Sequence, residues 1–203
     1  MTAAVAGMKK RKKKRRLNLG RFIPILALAL ALVFIAGHFA NRMLEKRTYR
    51  LVYAGEIKAA AGEFGLDPYL VAAVIFAESG GDREAVSPKG AVGLMQIMPA
   101  TGAWIAEKLT LEPYSDESLV VARDNIRLGC WYLAYLLERY GDGESALAAY
   151  NAGPGNVDKW LSDERYSSDG KLSDIPFEET AQYVVRVQSA YEKYMELYDG
   201  QLD

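Results

Sequence analysis

Twenty consecutive residues, Phe22 to Asn41, carry no formal charge and are mostly Leu, Ala, Ile, Phe and Val. As a helix rising about 1.5 Å per residue they reach roughly 30 Å, the thickness of a bilayer's hydrocarbon core. Pro24 falls near the start of that helix, where its missing N–H costs little. Just ahead lies an unbroken run of eight basic residues, Lys9 to Arg16. The positive-inside rule keeps such a flank in the cytoplasm and sends the rest of the chain across. The segment reads as a retained signal anchor. Two other readings are a cleaved signal peptide, for which Ile35-Ala36-Gly37 is a passable small-x-small site, and a nucleic-acid patch at Lys9–Arg16. The adjoining apolar span and the charge of the remaining chain disfavour the patch.

That charge is unevenly distributed. The 203 residues include 25 basic and 26 acidic ones, a formal net of −1. Ten of the basic residues and none of the acidic ones precede Glu45, so residues 45–203 hold 15 basic against 26 acidic, a net of −11. The expected organisation is a basic cytoplasmic tail (1–21), a transmembrane anchor (22–41), a linker (42–50), one domain (51–198) and a short tail (199–203). The part beyond the anchor is long enough to bury a core without cross-links. With half the chain hydrophobic and a quarter charged, it is not a disordered composition. The one cysteine, Cys130, rules out an internal disulfide framework and any Cys-based zinc site. The one histidine, His38, lies inside the apolar span, which rules out a Ser-His-Asp triad, a Cys-His dyad or a His-ligated metal in the domain. Its chemistry must come from carboxylates, hydroxyls, amides, Lys or Arg.

The domain reads as mainly α. Asp67-Pro68 followed by the uncharged run Tyr69–Ala77 is a capped helix, with Asp at the N-cap and Pro at the first helical position. Gly80-Gly81 ends it. Asp124–Tyr140 is a long helix with Ile126, Cys130, Leu133 and Leu137 on one face. Glu144–Asn151 is a short Ala-rich helix halted at Gly153-Pro154-Gly155. Glu178–Tyr198 is a final helix with Tyr183, Val187, Tyr191, Tyr194 and Tyr198 near one face. The glycine-broken stretch Ala85–Ile97 is a loop or short hairpin.

Glu78 stands out within this pattern. It follows ten uncharged residues and closes an apolar helix. Poor solvation beside Ile75 and Phe76, together with the negative end of the helix dipole, would raise its pKa. A carboxylic acid still protonated near neutral pH is what a general acid requires. Taken alone, Glu78 is also what an ordinary solvated helix end looks like.

Its neighbours decide between the two. Glu78-Ser79 is followed by Ser87-Pro88-Lys89-Gly90-Ala91-Val92-Gly93-Leu94-Met95-Gln96-Ile97-Met98-Pro99-Ala100-Thr101. Next come Asn125-Ile126-Arg127-Leu128-Gly129-Cys130-Trp131-Tyr132-Leu133, Ala149-Tyr150-Asn151-Ala152-Gly153 and Ile175-Pro176-Phe177-Glu178-Glu179-Thr180-Ala181-Gln182-Tyr183-Val184. In this order and spacing they resemble the catalytic domain of the soluble-lytic-transglycosylase family, the lysozyme-like peptidoglycan lytic transglycosylases, over roughly residues 50–197. The resemblance implies a goose-type-lysozyme-like helical domain. It makes Glu78 the sole catalytic acid/base and Ser87 a hydroxyl near it. It places Gln96 in the groove in contact with substrate, Met98 at the groove wall, Tyr150 and Asn151 beside the scissile bond, and Glu179 and Tyr183 on the far side.

Each of these also has a plain structural reading: Ser87 a turn residue, Met98 core, Tyr150 packing through its ring, Asn151 a helix C-cap, Tyr183 one more ring of the last helix. The sequence departs from the family pattern at Gly80–Glu84 and at Ala181, where the family usually has Arg.

The implied substrate is a peptidoglycan glycan strand, cleaved between N-acetylmuramic acid and N-acetylglucosamine. The product would be a 1,6-anhydromuramyl end, formed without metal or cofactor. A lysozyme-type hydrolase and an inactive glycan-binding scaffold are the alternatives. The −11 domain is not a nucleic-acid-binding one. Of the tryptophans available to line a groove, Trp104 and Trp131 are better candidates for core, which leaves Trp160.

Overall fold

The structure, a computed structural model, describes residues 19–202. The basic run Lys9–Arg16 and the rest of the tail through Asn18 lie outside the described residues. The chain divides between Met43 and Leu44 into two compact units.

The first described element is one helix, α1 (Leu19–Thr48). From Phe22 to Thr48 it is long and apolar enough to cross a membrane, and none of its most apolar stretch is buried by protein. Phe34 alone leaves 78% of its surface exposed. Such surface is driven out of water. Residues 42–48, expected to begin a linker, continue the helix. Glu45 there pairs with Lys193 at 3.1 Å.

The second unit is built almost wholly from helices: α2 (Ala54–Phe64), α3 (Pro68–Ser79), α4 (Pro99–Lys108), α5 (Ala122–Tyr140), α6 (Gly143–Ala152), α7 (Pro154–Leu161) and α8 (Glu178–Tyr198). A 3₁₀ turn covers Asp116–Val120, and a two-stranded ribbon pairs β1 (Ser167–Ser168) with β2 (Lys171–Leu172). Helices α3, α5, α6 and α8 sit where the residue pattern puts them. The Gly153-Pro154-Gly155 stop has a second function. Gly153, at φ 85°, ends α6, and Pro154 occupies the first position of α7, where a proline is favourable because no N–H is needed.

Helix α3 positions the site. Asp67 caps it, its Oδ1 accepting from the Tyr69 N–H at 2.8 Å. Tyr69 and Val71–Ile75 are buried, so this helix has no polar face and must run through the core. It packs antiparallel against α8. At one end Tyr191 donates to Asp67 Oδ2 at 2.6 Å, and Tyr69 donates to the Tyr198 carbonyl at 2.8 Å. At the other end Glu78 meets Tyr183. Helix α5 lies across α2, where Arg127 makes a two-pronged bond to Glu63, 2.7 Å at the shortest.

Candidate active site

Glu78 lies in the last turn of α3, before Gly80 turns the chain in the left-handed region at φ 63°. Burial raises its pKa to about 7; the Tyr183 hydroxyl and the more distant Arg186 guanidinium pull the other way. Tyr183 is 1% exposed. Among the described residues its buried hydroxyl has no hydrogen-bond partner at ordinary distance. It faces the Glu78 carboxylate, and both burial and that carboxylate push its own pKa well up. The Arg186 guanidinium stands 5.8 Å from the Tyr183 ring centroid.

Seven of the eight residues singled out from the sequence, Glu78, Ser87, Gln96, Met98, Tyr150, Asn151 and Glu179, line one cleft of about 340 Å³. The eighth, Tyr183, lies behind Glu78. Pro88, Lys89 and Ala91 complete the lining. A depression of about 690 Å³ between α4 and residues 110–114 is larger, but it gathers none of these groups.

One wall is the glycine-broken stretch, which folds as a small hairpin. Val92 bridges both Val86 and Ile97, exchanging backbone bonds of 3.0 Å with Ile97. The tip Gly93–Gln96 is braced by three side chains from three helices. Ser79 of α3 donates to the Leu94 carbonyl at 2.8 Å. Asn125 of α5 accepts from Met95 N at 2.8 Å and donates to the Val92 and Leu119 carbonyls at 2.9 and 2.8 Å. Tyr150 of α6 donates to the Met95 carbonyl at 2.8 Å. Gly93, at φ 82°, cannot carry a side chain, because a Cβ would strike the Leu119 carbonyl and Asn125.

The braces define what each wall residue can offer. Gln96 is held at φ 48°, and its amide N–H groups donate to the Ala85 and Gly93 carbonyls at 3.1 and 3.0 Å. That leaves Oε1 as an acceptor toward the cleft. Ser87 accepts from Ala91 N at 2.9 Å, so it is a turn residue and a cleft residue at once, with its own proton still to donate. The Tyr150 hydroxyl proton is committed to Met95, so its contribution to the cleft is its ring. Asn151 Oδ1 accepts from Thr180 Oγ1 at 2.8 Å, which aims its NH₂ as a donor. Met98 is 41% exposed and forms wall, not core. Glu179 is exposed at the rim.

Three residues that support the site, Thr180, Asn125 and Ser79, are not singled out by the sequence pattern. Thr180 and Asn125 are buried polar residues and stand inside the family-like motifs, which is the signal that could mark them. Trp160 is itself core, edge-on to Phe177 at 5.0 Å, and so does not line the groove, while Trp104 and Trp131 are half-buried and pack against the core.

A family model described as the transglycosylase SLT domain matches residues 55–172. The soluble lytic murein transglycosylase of Escherichia coli (strain K12) is 33% identical over 170 residues, covering 82% of this chain and 26% of that protein. The membrane-bound lytic murein transglycosylase C of Actinobacillus pleuropneumoniae serotype 5b (strain L20) is 27% identical over 206 residues, covering 90% and 53%.

Among solved structures, the 70 kDa soluble lytic transglycosylase from Escherichia coli superposes with a TM-score of 0.70 at 30% identity, covering 78% of this chain and 26% of that one. An inactive glutamate-to-glutamine mutant of lytic transglycosylase Slt from Pseudomonas aeruginosa gives 0.68 at 35%, covering 74% and 25%. The chain thus spans about a quarter of the length of the soluble relatives it matches.

Proposed function

The chain belongs to the transglycosylase SLT domain family, and from that premise we propose that it is a membrane-anchored peptidoglycan lytic transglycosylase with Glu78 as its only acid and base. The observation that carries this reading is the carboxyl of Glu78, held in a cleft by the end of a core helix with its pKa near 7. Most glycosidases divide the work between two carboxylates. A single group whose pKa sits near the working pH can act in both directions.

In the first step Glu78 gives its proton to the oxygen linking N-acetylmuramic acid to N-acetylglucosamine. The C1–O bond breaks, leaving positive charge at C1 that the 2-acetamido group shares. Asn151, aimed by Thr180, orients that acetamido group, and Gln96 Oε1 and the Ser87 hydroxyl hold the strand. In the second step the muramyl 6-hydroxyl attacks C1 of its own sugar, and Glu78, now ionised, takes the hydroxyl proton. A 1,6-anhydro ring closes and the acid is regenerated. Because nucleophile and electrophile belong to one sugar, high effective molarity replaces an activated water. The Tyr183 hydroxyl, facing the carboxylate with no other partner, favours the ionised form between the steps.

A second reading has a specific basis. Glu179 lines the same cleft and could direct water at C1, which would make the protein a lysozyme-type hydrolase. Mass analysis of the glycan products separates them: the anhydro end is lighter than the hydrolysed end by one water. Finding only the hydrated end would refute the lyase. Full glycan cleavage by Glu78→Gln would refute the acid itself.

The membrane arrangement belongs to this proposal. Helix α1 would hold the domain on the cell-wall side, with residues 1–21 in the cytoplasm. Protease added outside intact spheroplasts should remove the domain; a protected domain would reverse the orientation.

A further inference from the structure

Beside the cleft runs a strip of aromatic rings of which the reaction above uses only the first. Tyr150 is a cleft wall. Tyr132 lies 5.4 Å from it and Tyr135 6.4 Å beyond. Tyr135 stacks on Trp131 at 5.5 Å with the planes 3° apart. Trp104 of α4 stands edge-on to Trp131 and Tyr135 at 5.2 and 5.4 Å. Residues 131, 132 and 135 share one face of α5 because positions three and four apart are neighbours on a helix.

This strip is not closed core. All five residues are half-buried. A buried Trp N–H or Tyr O–H ordinarily finds a partner. The indole N–H groups of Trp104 and Trp131 and the Tyr132 hydroxyl bond to no protein group among the described residues. None of them is among the buried polar atoms left without a partner, which are Tyr114 Oη, Asp142 Oδ2, Ser145 Oγ and Tyr183 Oη. Each therefore keeps some accessible surface. Tyr135 accepts from Arg139 at 3.2 Å and keeps its own proton to donate. Flat apolar rings bordered by outward donors complement a pyranose, whose C–H face is apolar and whose rim carries hydroxyl and acetamido oxygens.

The cleft is at the small end of ligand sites and holds only the few sugars around the scissile bond. A longer strand has to leave it, and Tyr150 is common to cleft and strip. We propose that the Tyr132–Tyr135–Trp131–Trp104 strip is an extended glycan-binding surface that takes N-acetylated amino-sugar units of the same strand beyond the cleft. This rests on reading the cleft as a glycan-cleaving site. It makes the protein selective for long strands over short fragments.

The test uses the full chain in detergent. Binding of N-acetylglucosamine oligomers of increasing length to the Glu78→Gln protein is followed by calorimetry and tryptophan emission. Affinity should keep rising after the cleft is filled, with a shift in indole emission. Trp104→Ala with Trp131→Ala should lower affinity for the longest oligomers by about tenfold and flatten the dependence on length. Tyr132→Phe with Trp131→Phe keeps an aromatic ring at each position and removes the donors. It should lose part of the same increment, and it serves if the alanine pair fails to fold.

An affinity that stops rising once the cleft is full, or an increment that survives both pairs, overturns the strip. So does a loss of self-association in place of glycan binding, which would make the surface a contact between copies of the chain. Glycan cleavage by the unaltered protein is scored separately. Length-dependent binding without cleavage refutes the proposed reaction and leaves the strip standing; cleavage with length-independent binding refutes the strip alone.

Discussion

Replacing Glu78 by Gln should make the folded chain more stable, and increasingly so as pH rises. Burial lifts the carboxyl from 4.5 to about 7. A tenfold change in a proton-binding constant is worth about 1.4 kcal/mol, so the ionised side chain destabilises the fold by about 3 kcal/mol at most. The sign follows from proton counting. Below about pH 4.5 the carboxyl is protonated in both folded and unfolded chains, and nothing is lost. Between 4.5 and 7 the folded chain retains a proton that the unfolded chain has released, so stability falls as pH rises. Above about 7 both are ionised and the full cost applies. Gln is close in size and never ionises.

The difference between the two proteins should therefore be flat below pH 4.5, grow through the interval and level off above 7. For a chain of this size 3 kcal/mol corresponds to about 6–12 °C in Tm. Thermal unfolding of both proteins, followed by near-ultraviolet circular dichroism from pH 4 to 8.5, measures it. An offset that does not change with pH, or a Gln protein less stable at pH 8, would refute the desolvated-acid reasoning and return Glu78 to the role of a solvated helix end.

The remaining predictions concern the groups around that acid. With a glycan substrate, kcat/KM should descend with rising pH near 7, as Glu78 loses its proton. Because Tyr183 holds that pKa down, Tyr183→Phe should move the descending limb to higher pH; a limb that stays or falls argues against the contact. Thr180→Val keeps the shape but frees Asn151, and should lower kcat by about tenfold with a smaller change in KM, read from steady-state rates. Asn125→Leu strands Met95 N and the Val92 and Leu119 carbonyls, and should cost about 3 kcal/mol or more in denaturant unfolding. Gly93→Ala, at φ 82° and against the Leu119 carbonyl, should be comparably destabilising by the same measurement.

What could be read from the sequence, and what could not, follows from the range of the interactions. Helix α3 announces itself through a cap, a proline and an unbroken apolar run, all local. Helix α2 does not, since its buried residues are Ile57, Ala60 and Ala61, and alanines make little hydrophobic contrast. The burial of Trp160 has the same origin: it depends on packing between elements, and the sequence of α7 alone does not carry it. The cleft residues were legible as a set through their ordered motifs, yet their hydrogen-bonding roles were not. The three braces of the hairpin tip act across 15, 30 and 55 residues, and no spacing rule reaches that far. Tyr150 shows the consequence. Its place beside the cleft follows from the motif, but that its hydroxyl holds Met95, and so leaves the cleft its ring, follows only from the fold.

The chemistry of Glu78 is in turn a consequence of how α3 is buried. A helix apolar on every side has to run through the core, and a carboxyl in its last turn then lies where solvation is poor. That alone would produce an acid that holds its proton too well to give it to the leaving oxygen. Helix α8, packed antiparallel, brings to the same end an unpartnered Tyr183 hydroxyl and, beyond its ring, the Arg186 guanidinium, both of which favour the charged form. Desolvation outweighs them, but they limit the rise to about 7. A group poised there is half protonated at neutral pH, which is the condition a one-carboxylate reaction imposes: enough acid to cleave, and a conjugate base strong enough to close the ring. Weakening α8's contribution should therefore impair the first step, in which Glu78 gives up its proton, more than the second. In Tyr183→Phe the strand should break more slowly at neutral pH, so kcat should fall while the ratio of anhydro to hydrated ends among the products stays that of the unaltered protein. A rising fraction of hydrated ends would show that Tyr183 acts on ring closure instead.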